Sequence, residues 1–122
     1  MKALVVALMS LFLLIGCKNG YAPQSVFTHI DDVAEWSPDS ALILLKQVSL
    51  EEKDWSKALQ MRYQLSLANA QNKADIPFTT DTLLKSVVEY YNHHGDNNQK
   101  VKAHYLLGCV YRDLHDAPLA LR

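Results

Sequence analysis

The stretch AHYLLGCVYRDLHDAPLAL, residues 103 to 121, decides the predicted fold of this chain. Its apolar residues recur three or four positions apart, as they do along one face of an α-helix. A turn is expected at His115, and a further helix is expected from about Ala117. The positions expected to face inward are Ala103, Leu107, Val110, Tyr111 and Leu114.

The residues before this stretch read as four more helices. The order Ser37, Pro38, Asp39 is typical of a helix start, with a capping side chain, a proline at the first helical position and an acid in the first turn. An earlier short helix is expected to begin at Thr28 to Asp31. A later one is expected to begin at Thr80-Asp81.

A long helix is predicted from the capping-box pair Ser49 and Glu52 to about Lys73, with Pro77 in the break that follows it. The fifth helix is expected to open at Asn97 or the residue after it. No stretch alternates with a period of two, so the sequence predicts an all-α domain. The expected inward positions are Ile30, Val33, Ala34, Ala41, Leu42, Leu44, Leu45, Val48, Trp55, Leu59, Tyr63, Leu67, Ala70, Leu83, Leu84, Val87, Val88, Tyr90 and Tyr91.

The N-terminus carries one charge, Lys2, before a run of 13 mostly apolar residues at positions 3–15. A helix of that length spans about 20 Å and is too short for the roughly 30 Å hydrocarbon layer, which favours a secretory signal segment. The run ends in Leu14-Ile15-Gly16-Cys17, which resembles a bacterial lipobox. An ordinary signal peptide with an incidental cysteine is the alternative.

The lipobox resemblance implies that residues 1–16 are removed and that Cys17 carries a diacylglyceryl group and an acylated amine, as in palmitoylated lipoproteins. Two or more acyl chains anchor a protein stably to a membrane. Residues 17–25 are then the acylated cysteine and a flexible tether. The tether lacks the acidic run associated with surface export in Bacteroidota lipoproteins. The resemblance therefore implies an envelope protein on the outer membrane, facing the periplasm.

The folded part, expected at residues 26–122, has a nearly balanced charge. In residues 17–122, which leave out Lys2, 11 basic residues stand against 13 acidic ones, and no basic stripe appears, so nucleic acid is not an expected partner. Cys109 is the only cysteine after Cys17, so no disulfide is expected inside this domain.

The last stretch also resembles the tetratricopeptide repeat at its tightest helix pair. The residues that carry the resemblance are Ala103, Leu107, Gly108, Tyr111, Asp116 and Ala120. Forty residues earlier, Leu67 and Ala68 take the positions of Leu107 and Gly108, with about six extra residues in the turn near ADIPFT. Ser86 and Tyr90 match the second helix of that middle repeat. Together with the lipobox, the pattern resembles tetratricopeptide lipoproteins of the Bacteroidota.

This resemblance implies antiparallel helix hairpins stacked as a short solenoid of about two and a half repeats, with an incomplete repeat at the C-terminus. The chain is accordingly expected to be a fragment of a longer repeat protein, or to have its C-terminal end covered by something else. A plain helical bundle is the alternative. The residues expected to pack the repeats are Leu67, Ala68, Ser86, Tyr90, Leu107, Gly108, Tyr111 and Ala120.

A partner-binding groove is expected on the face that the leading helices of such hairpins present. On the fifth helix this face repeats at positions i, i+3, i+7 and i+10, and a matching face lies on the long helix. The expected groove residues are Arg62, Leu65, Asn69, Lys73, Lys102, Tyr105, Cys109 and Arg112. An ordinary solvated face is the alternative reading of these residues.

No catalytic or metal-binding residue is predicted. Adjacent histidines, His93 and His94, point to different sides of a helix, and no pair has the spacing of a zinc site. Cys109 and His104 diverge on a helix and do not form a nucleophile-base pair. No cofactor, small-molecule substrate or enzymatic activity is expected.

Three functions fit these observations. The first is a lipid-anchored scaffold that binds a protein or peptide in the groove. The second is the N-terminal sensory segment of a larger membrane signalling or transcription-regulating repeat protein. The third is a glycan- or nutrient-binding lipoprotein, which requires exposed aromatic platforms, whereas Trp36 and Trp55 are both expected to serve in packing.

Overall fold

The computed structural model describes the backbone of residues 22–120 and the side chains of residues 24–51 and 53–115. Five α-helices follow one another in this part of the chain: α1 at Ala22–Trp36, α2 at Pro38–Val48, α3 at Lys57–Lys73, α4 at Thr82–His93 and α5 at Asn97–Ala120. A 3₁₀-helix at Ser49–Asp54 joins α2 to α3. No strand occurs between residues 22 and 120, which confirms the all-α prediction.

The expected signal segment 1–16, Cys17 and residues 18–21 of the expected tether lie outside the described residues. Residues 22–25, also expected to belong to the tether, are already helical. The first helix therefore begins well before the predicted start at Thr28, and it brings Val26 and Phe27 into the core.

Side chains near the helix starts explain where several helices begin. Pro38 opens α2 as predicted, but the Ser37 hydroxyl donates to Ser40 Oγ at 2.7 Å and makes no cap bond. The start of α3 is not the predicted pair Ser49 and Glu52. Ser56 caps α3 by accepting a hydrogen bond from the Leu59 amide at 3.3 Å, because the chain first completes the 3₁₀-helix.

A reciprocal capping box opens α5. The Gln99 amide donates to Asp96 Oδ1 at 2.9 Å, and the Asp96 amide donates to Gln99 Oε1 at 3.4 Å. Gly95 precedes it with a φ of 77°, the left-handed region that glycine adopts at low cost. Further along, α5 continues without a break through His115 and Asp116 to Ala120, so the predicted turn at His115 is wrong.

Helix α3 lies between two apolar clusters and packs against each of the other four helices. The first cluster joins α1, α2 and one side of α3 and includes Phe27, Ile30, Leu45, Trp55 and Tyr63. The second joins the other side of α3 to α4 and α5 and includes Met61, Leu65, Val87, Leu106 and Val110. The two clusters share no residue, and α3 contributes to both.

Three residues expected to face inward lie at the surface. Trp36 is 75% exposed, Leu83 is 42% exposed, and Tyr111 is 37% exposed. Trp36 is the last residue of α1 and its side chain is mostly exposed, so its expected packing role is wrong. Leu106 fills a place in the second cluster that the sequence pattern had assigned to its neighbour Leu107, which is only partly buried.

Candidate partner-binding surface

The structure divides the eight expected groove residues into a buried half and an accessible half. Arg62, Leu65, Asn69 and Cys109 are buried. Lys73, Tyr105 and Arg112 are exposed, and Lys102 is half-buried. We call the accessible four, Lys73, Lys102, Tyr105 and Arg112, the α3–α5 surface.

Arg62 is held inside the protein by three neighbours. Its guanidinium donates to Asp31 Oδ2 on α1 at 2.7 Å and to Ser66 Oγ one turn further along α3, also at 2.7 Å. The guanidinium carbon lies 5.9 Å from the centre of the Phe27 ring, within the range of a cation–π contact. Arg62 therefore joins α1 to α3, and its side chain is not available to a partner in this conformation.

Leu65 and Asn69 lie in the interior for different reasons. Leu65 is 1% exposed and belongs to the second apolar cluster, because α4 and α5 cover this side of α3. Asn69 is also buried, and its Nδ2 has no hydrogen-bond partner among the described residues. A buried amide donor without a partner costs about 1–3 kcal/mol.

The exposed cations of the α3–α5 surface are tied to neighbouring helices by their side chains. Lys73 Nζ lies 3.1 Å from Glu35 Oε2 on α1. Arg112 donates to Asn72 Oδ1 on α3 at 3.2 Å and forms an ion pair with Asp113 at 3.0 Å. Tyr105, which lies between Lys102 and Arg112 in the sequence of α5, is 62% exposed.

The contact between Arg112 and Asn72 joins residues 40 positions apart. The same offset relates Lys102 to Arg62 and Gly108 to Ala68, as the sequence comparison within the chain had suggested. Asp31 with Arg62 and Glu35 with Lys73 make contacts in the same order along α1 and α3, so these two helices run in the same direction. The two α1–α3 contacts span 31 and 38 positions, so α1 does not keep one fixed offset from α3.

Two hydrogen bonds join the loop between α3 and α4 to α5. The Phe78 amide donates to Asp113 Oδ2 at 3.0 Å, and the Tyr111 hydroxyl donates to Asp81 Oδ2 at 3.3 Å. The Phe78 amide hydrogen bond, together with the neighbouring Arg112, lowers the pKa of Asp113. The hydrogen bond to Asp113 raises the pKa of the Arg112 guanidinium.

The same loop lines one side of a partly open cavity of about 210 Å³, whose other side is formed by α3 and α4. The sequence pattern gave no signal for this cavity beyond the extra residues of the loop. Gln64 lines it, and the Gln64 Oε1 atom is shielded from solvent without a hydrogen-bond partner among the described residues. The remaining lining residues are Leu67, Ala68, Gln71, Pro77, Phe78, Thr79, Thr80, Leu83 and Leu84.

The expected repeat-packing residues are also spread between core and surface. Ala68 is buried, Leu67, Tyr90 and Leu107 are partly buried, and Ser86, Gly108 and Tyr111 are exposed. A Cβ added at Gly108 would meet no atom within 4 Å, so no close helix approach in the described part of the chain requires this glycine. The side chain of Ala120 lies outside the described residues.

Three histidines, two at the end of α4 and one on α5, contact residues of α4. The His94 ring stacks on Tyr90 with a centroid distance of 4.3 Å, His93 lies 3.4 Å from Glu89, and His104 bonds to Asn92 at 2.8 Å. Among the described residues, no three His, Cys, Asp or Glu side chains are grouped closely enough to hold a metal ion.

None of the helices within residues 22–120 is both long and apolar enough to cross a membrane. Comparison of the chain with protein-family models, with curated proteins and with solved structures finds no match.

Proposed function

We propose that this chain is a lipid-anchored scaffold of the cell envelope that binds a protein or peptide through the α3–α5 surface. The observation that carries the proposal is the position of Tyr105, which is exposed between Lys102 and Arg112 on α5 and faces no core cluster. Interfaces between proteins are enriched in tyrosine and arginine, because these side chains combine apolar area with hydrogen-bonding groups.

A stacked, tetratricopeptide-like arrangement of the hairpins is part of the proposal. It is supported by the contacts of α3 with all four other helices and by the 40-residue offset between α3 and α5. In repeat proteins each unit buries its apolar face against its neighbours and leaves an extended surface for binding. The two separate apolar clusters are compatible with this arrangement.

The binding surface is tested by recovery of proteins with the tagged full chain after crosslinking in envelope membranes. We expect Tyr105→Ala and Lys102→Ala each to reduce recovery of the bound protein, and Lys73→Ala to have a smaller effect because Lys73 is paired with Glu35. Leu83→Ala and Lys85→Ala on α4 are matched controls, since both side chains are also exposed. Equal recovery with all five variants would reject this surface.

The anchor is tested separately, by metabolic labelling with an alkyne fatty acid. The lipobox resemblance predicts labelling that is lost in Cys17→Ser and retained in Cys109→Ser, whose thiol is buried. Label that persists in Cys17→Ser would contradict lipid attachment at this residue and leave the binding test unaffected.

Exposed Trp36 supports glycan capture as a second candidate function. Aromatic rings exposed at a protein surface are the platforms on which sugars stack, and Trp36 is the most exposed aromatic residue among the described side chains. A screen against envelope and dietary polysaccharides, comparing the natural chain with Trp36→Ala, tests this function. Binding that is unchanged in Trp36→Ala, or no binding at all, would reject it.

A further inference from the structure

The outer face of α5 carries both apolar and basic side chains. It also contains Gly108, and the packing within one copy of the chain gives no reason for a glycine there. Val101 is 67% exposed, and it lies on the same side of α5 as Tyr105 and Gly108, at positions i, i+4 and i+7, whereas the Arg112 side chain turns to Asn72 on α3. A glycine in the middle of a helix costs about 0.5–1 kcal/mol relative to alanine. Because no neighbouring atom lies within 4 Å of the Cβ position at Gly108, an alanine would fit the protomer.

The corresponding face of α3 is buried by other helices of the same chain. At the 40-residue offset, Val101, Tyr105 and Gly108 correspond to Met61, Leu65 and Ala68. All three α3 residues are buried, because α4 and α5 pack on that face. The outer face of α5 is therefore the counterpart of an interface between helices, and it is left open within the described residues.

The charges of the two ends of the molecule are complementary. Residues 97–115 of α5 contain three lysine or arginine residues and one acid, Asp113. The three cations are Lys100, Lys102 and Arg112. That acid is engaged by the Phe78 amide and by Arg112.

The opposite end of the molecule is acidic. Helix α1 contains Asp31, Asp32 and Glu35 and no lysine or arginine. Two of these acids already bind cations on α3, Asp31 with Arg62 and Glu35 with Lys73. Within one copy of the chain, α1 thus pairs two of its acids with cations of α3, the helix on which it packs.

We propose, resting on the binding function proposed above, that the partner recognised at Lys102 and Tyr105 is a second copy of this chain, whose helix α1 binds the open face of α5 so that copies associate head to tail. The row α1–α3–α5 is then continued by α1 of the next copy. The Asp31–Arg62 contact spans 31 positions, and adding the 40-residue offset places Asp32 of the second copy within one residue of the level of Lys102 and Trp36 within one residue of the level of Gly108. The second copy thereby covers the two surface features that the protomer leaves without a packing role, the exposed Trp36 ring and the open helix face at Gly108.

A head-to-tail contact uses two different surfaces and leaves one of each free at the ends, so it propagates rather than closing into a symmetric dimer. The charges also disfavour pairing of α5 with α5, because both faces are basic. Lateral association of several copies on one membrane surface is the expected consequence.

The test is a photo-crosslink in envelope membranes from the full chain carrying benzoylphenylalanine in place of Val101. Two differently tagged copies are co-expressed, and the crosslinked product is digested with trypsin. The proposal expects a link to the peptide 19–46, which contains α1. A link to the α5 peptide 103–112 of the second copy, or no link between copies, would overturn it.

Exchanging the charges of the two surfaces shows whether a lower crosslink yield comes from a lost contact or from misfolding. Asp32→Lys is expected to lower the crosslink yield about fivefold, the change that about 1 kcal/mol produces. The double variant Asp32→Lys with Lys102→Glu is expected to restore it. Asp54→Lys, an exposed acid of the 3₁₀-helix, is the matched control. A yield that Asp32→Lys leaves unchanged, or that the double variant fails to restore, would contradict the proposed contact.

Discussion

Arg62 on α3 and Asp31 on α1 form an ion pair at 2.7 Å in which both side chains are more than four-fifths buried. The pair links two helices that have α2 and the 3₁₀-helix between them in the chain, and Asp31 Oδ1 has no hydrogen-bond partner among the described residues. Charges removed from water in this way are costly unless both partners are present.

Replacing Arg62 alone is therefore expected to be severe. Arg62→Met should lower the free energy of unfolding by about 3–5 kcal/mol, because Asp31 is left as an uncompensated buried charge. The double variant Arg62→Met with Asp31→Leu should recover most of this loss. Urea denaturation followed by far-ultraviolet circular dichroism measures both variants, and a double variant no more stable than the single one would contradict this account.

The two described glycines should respond oppositely to alanine. Gly108→Ala is expected to raise the free energy of unfolding by about 0.5–1 kcal/mol, because it removes a helix-interior glycine and creates no contact. Gly95→Ala is expected to lower it by about 1–2 kcal/mol, because φ is 77° and a Cβ would lie 2.6 Å from Gln99 Oε1. The difference in thermal midpoint between the two variants checks the signs.

Tyr91 sets an alkaline limit to stability. Burial raises the pKa of the Tyr91 hydroxyl to about 12, with the nearby Arg62 acting in the opposite direction. Because the folded pKa lies above the unfolded value of 10, the stabilising contribution is complete below pH 10 and is lost as the pH rises towards 12. Tyr91→Phe should therefore flatten the fall in thermal midpoint over this range, while exposed Tyr105→Phe should leave it unchanged.

Asp113 should make the stability of the protein depend on pH in the acidic range. The Phe78 amide and Arg112 lower the pKa of the Asp113 carboxyl, so its contribution is present above pH 3.8 and is lost as the pH falls below that value. Asp113→Asn should make the stability less dependent on pH in this acidic range. Asp113→Ala, which removes the oxygen that accepts from the Phe78 amide, should speed proteolysis in residues 76–80, because the loop loses this bond to α5. Unchanged cleavage in this loop would count against the anchoring role.

The helices that the sequence predicted well are those with one buried face. In α2 the proline and the acid marked the start, and the 3.6-residue period identified Ala41 and Leu45 as inward residues. On α3 the same reasoning found Tyr63 and Ala70, which face the first cluster. It missed Met61 and Leu65, because a helix buried on two sides carries two apolar stripes and a search for one period selects only the stronger.

The groove prediction was affected by the same property of α3. Leu65 lay on the face opposite the recognised stripe, and exposure was the natural expectation for it, whereas α4 and α5 cover that face. Arg62 and Asn69 are charged or polar, and no local pattern signals that α1 supplies a buried carboxylate 31 positions away from Arg62. On α5, by contrast, Tyr105 and Arg112 are exposed as expected, because that helix has neighbours on one side only among the described residues.

The position of α3 between the two apolar clusters has a consequence for how the molecule opens. Since α3 supplies one wall of each cluster, the first hairpin and the last pair of helices cannot lose their support independently of it. Amide hydrogen exchange should accordingly find the slowest protons in the middle of α3, near Leu65 and Ala68, with one shared opening free energy for both sides. The described helices should thus unfold as a single cooperative unit, and fraying of α3 should release the helices on both of its sides.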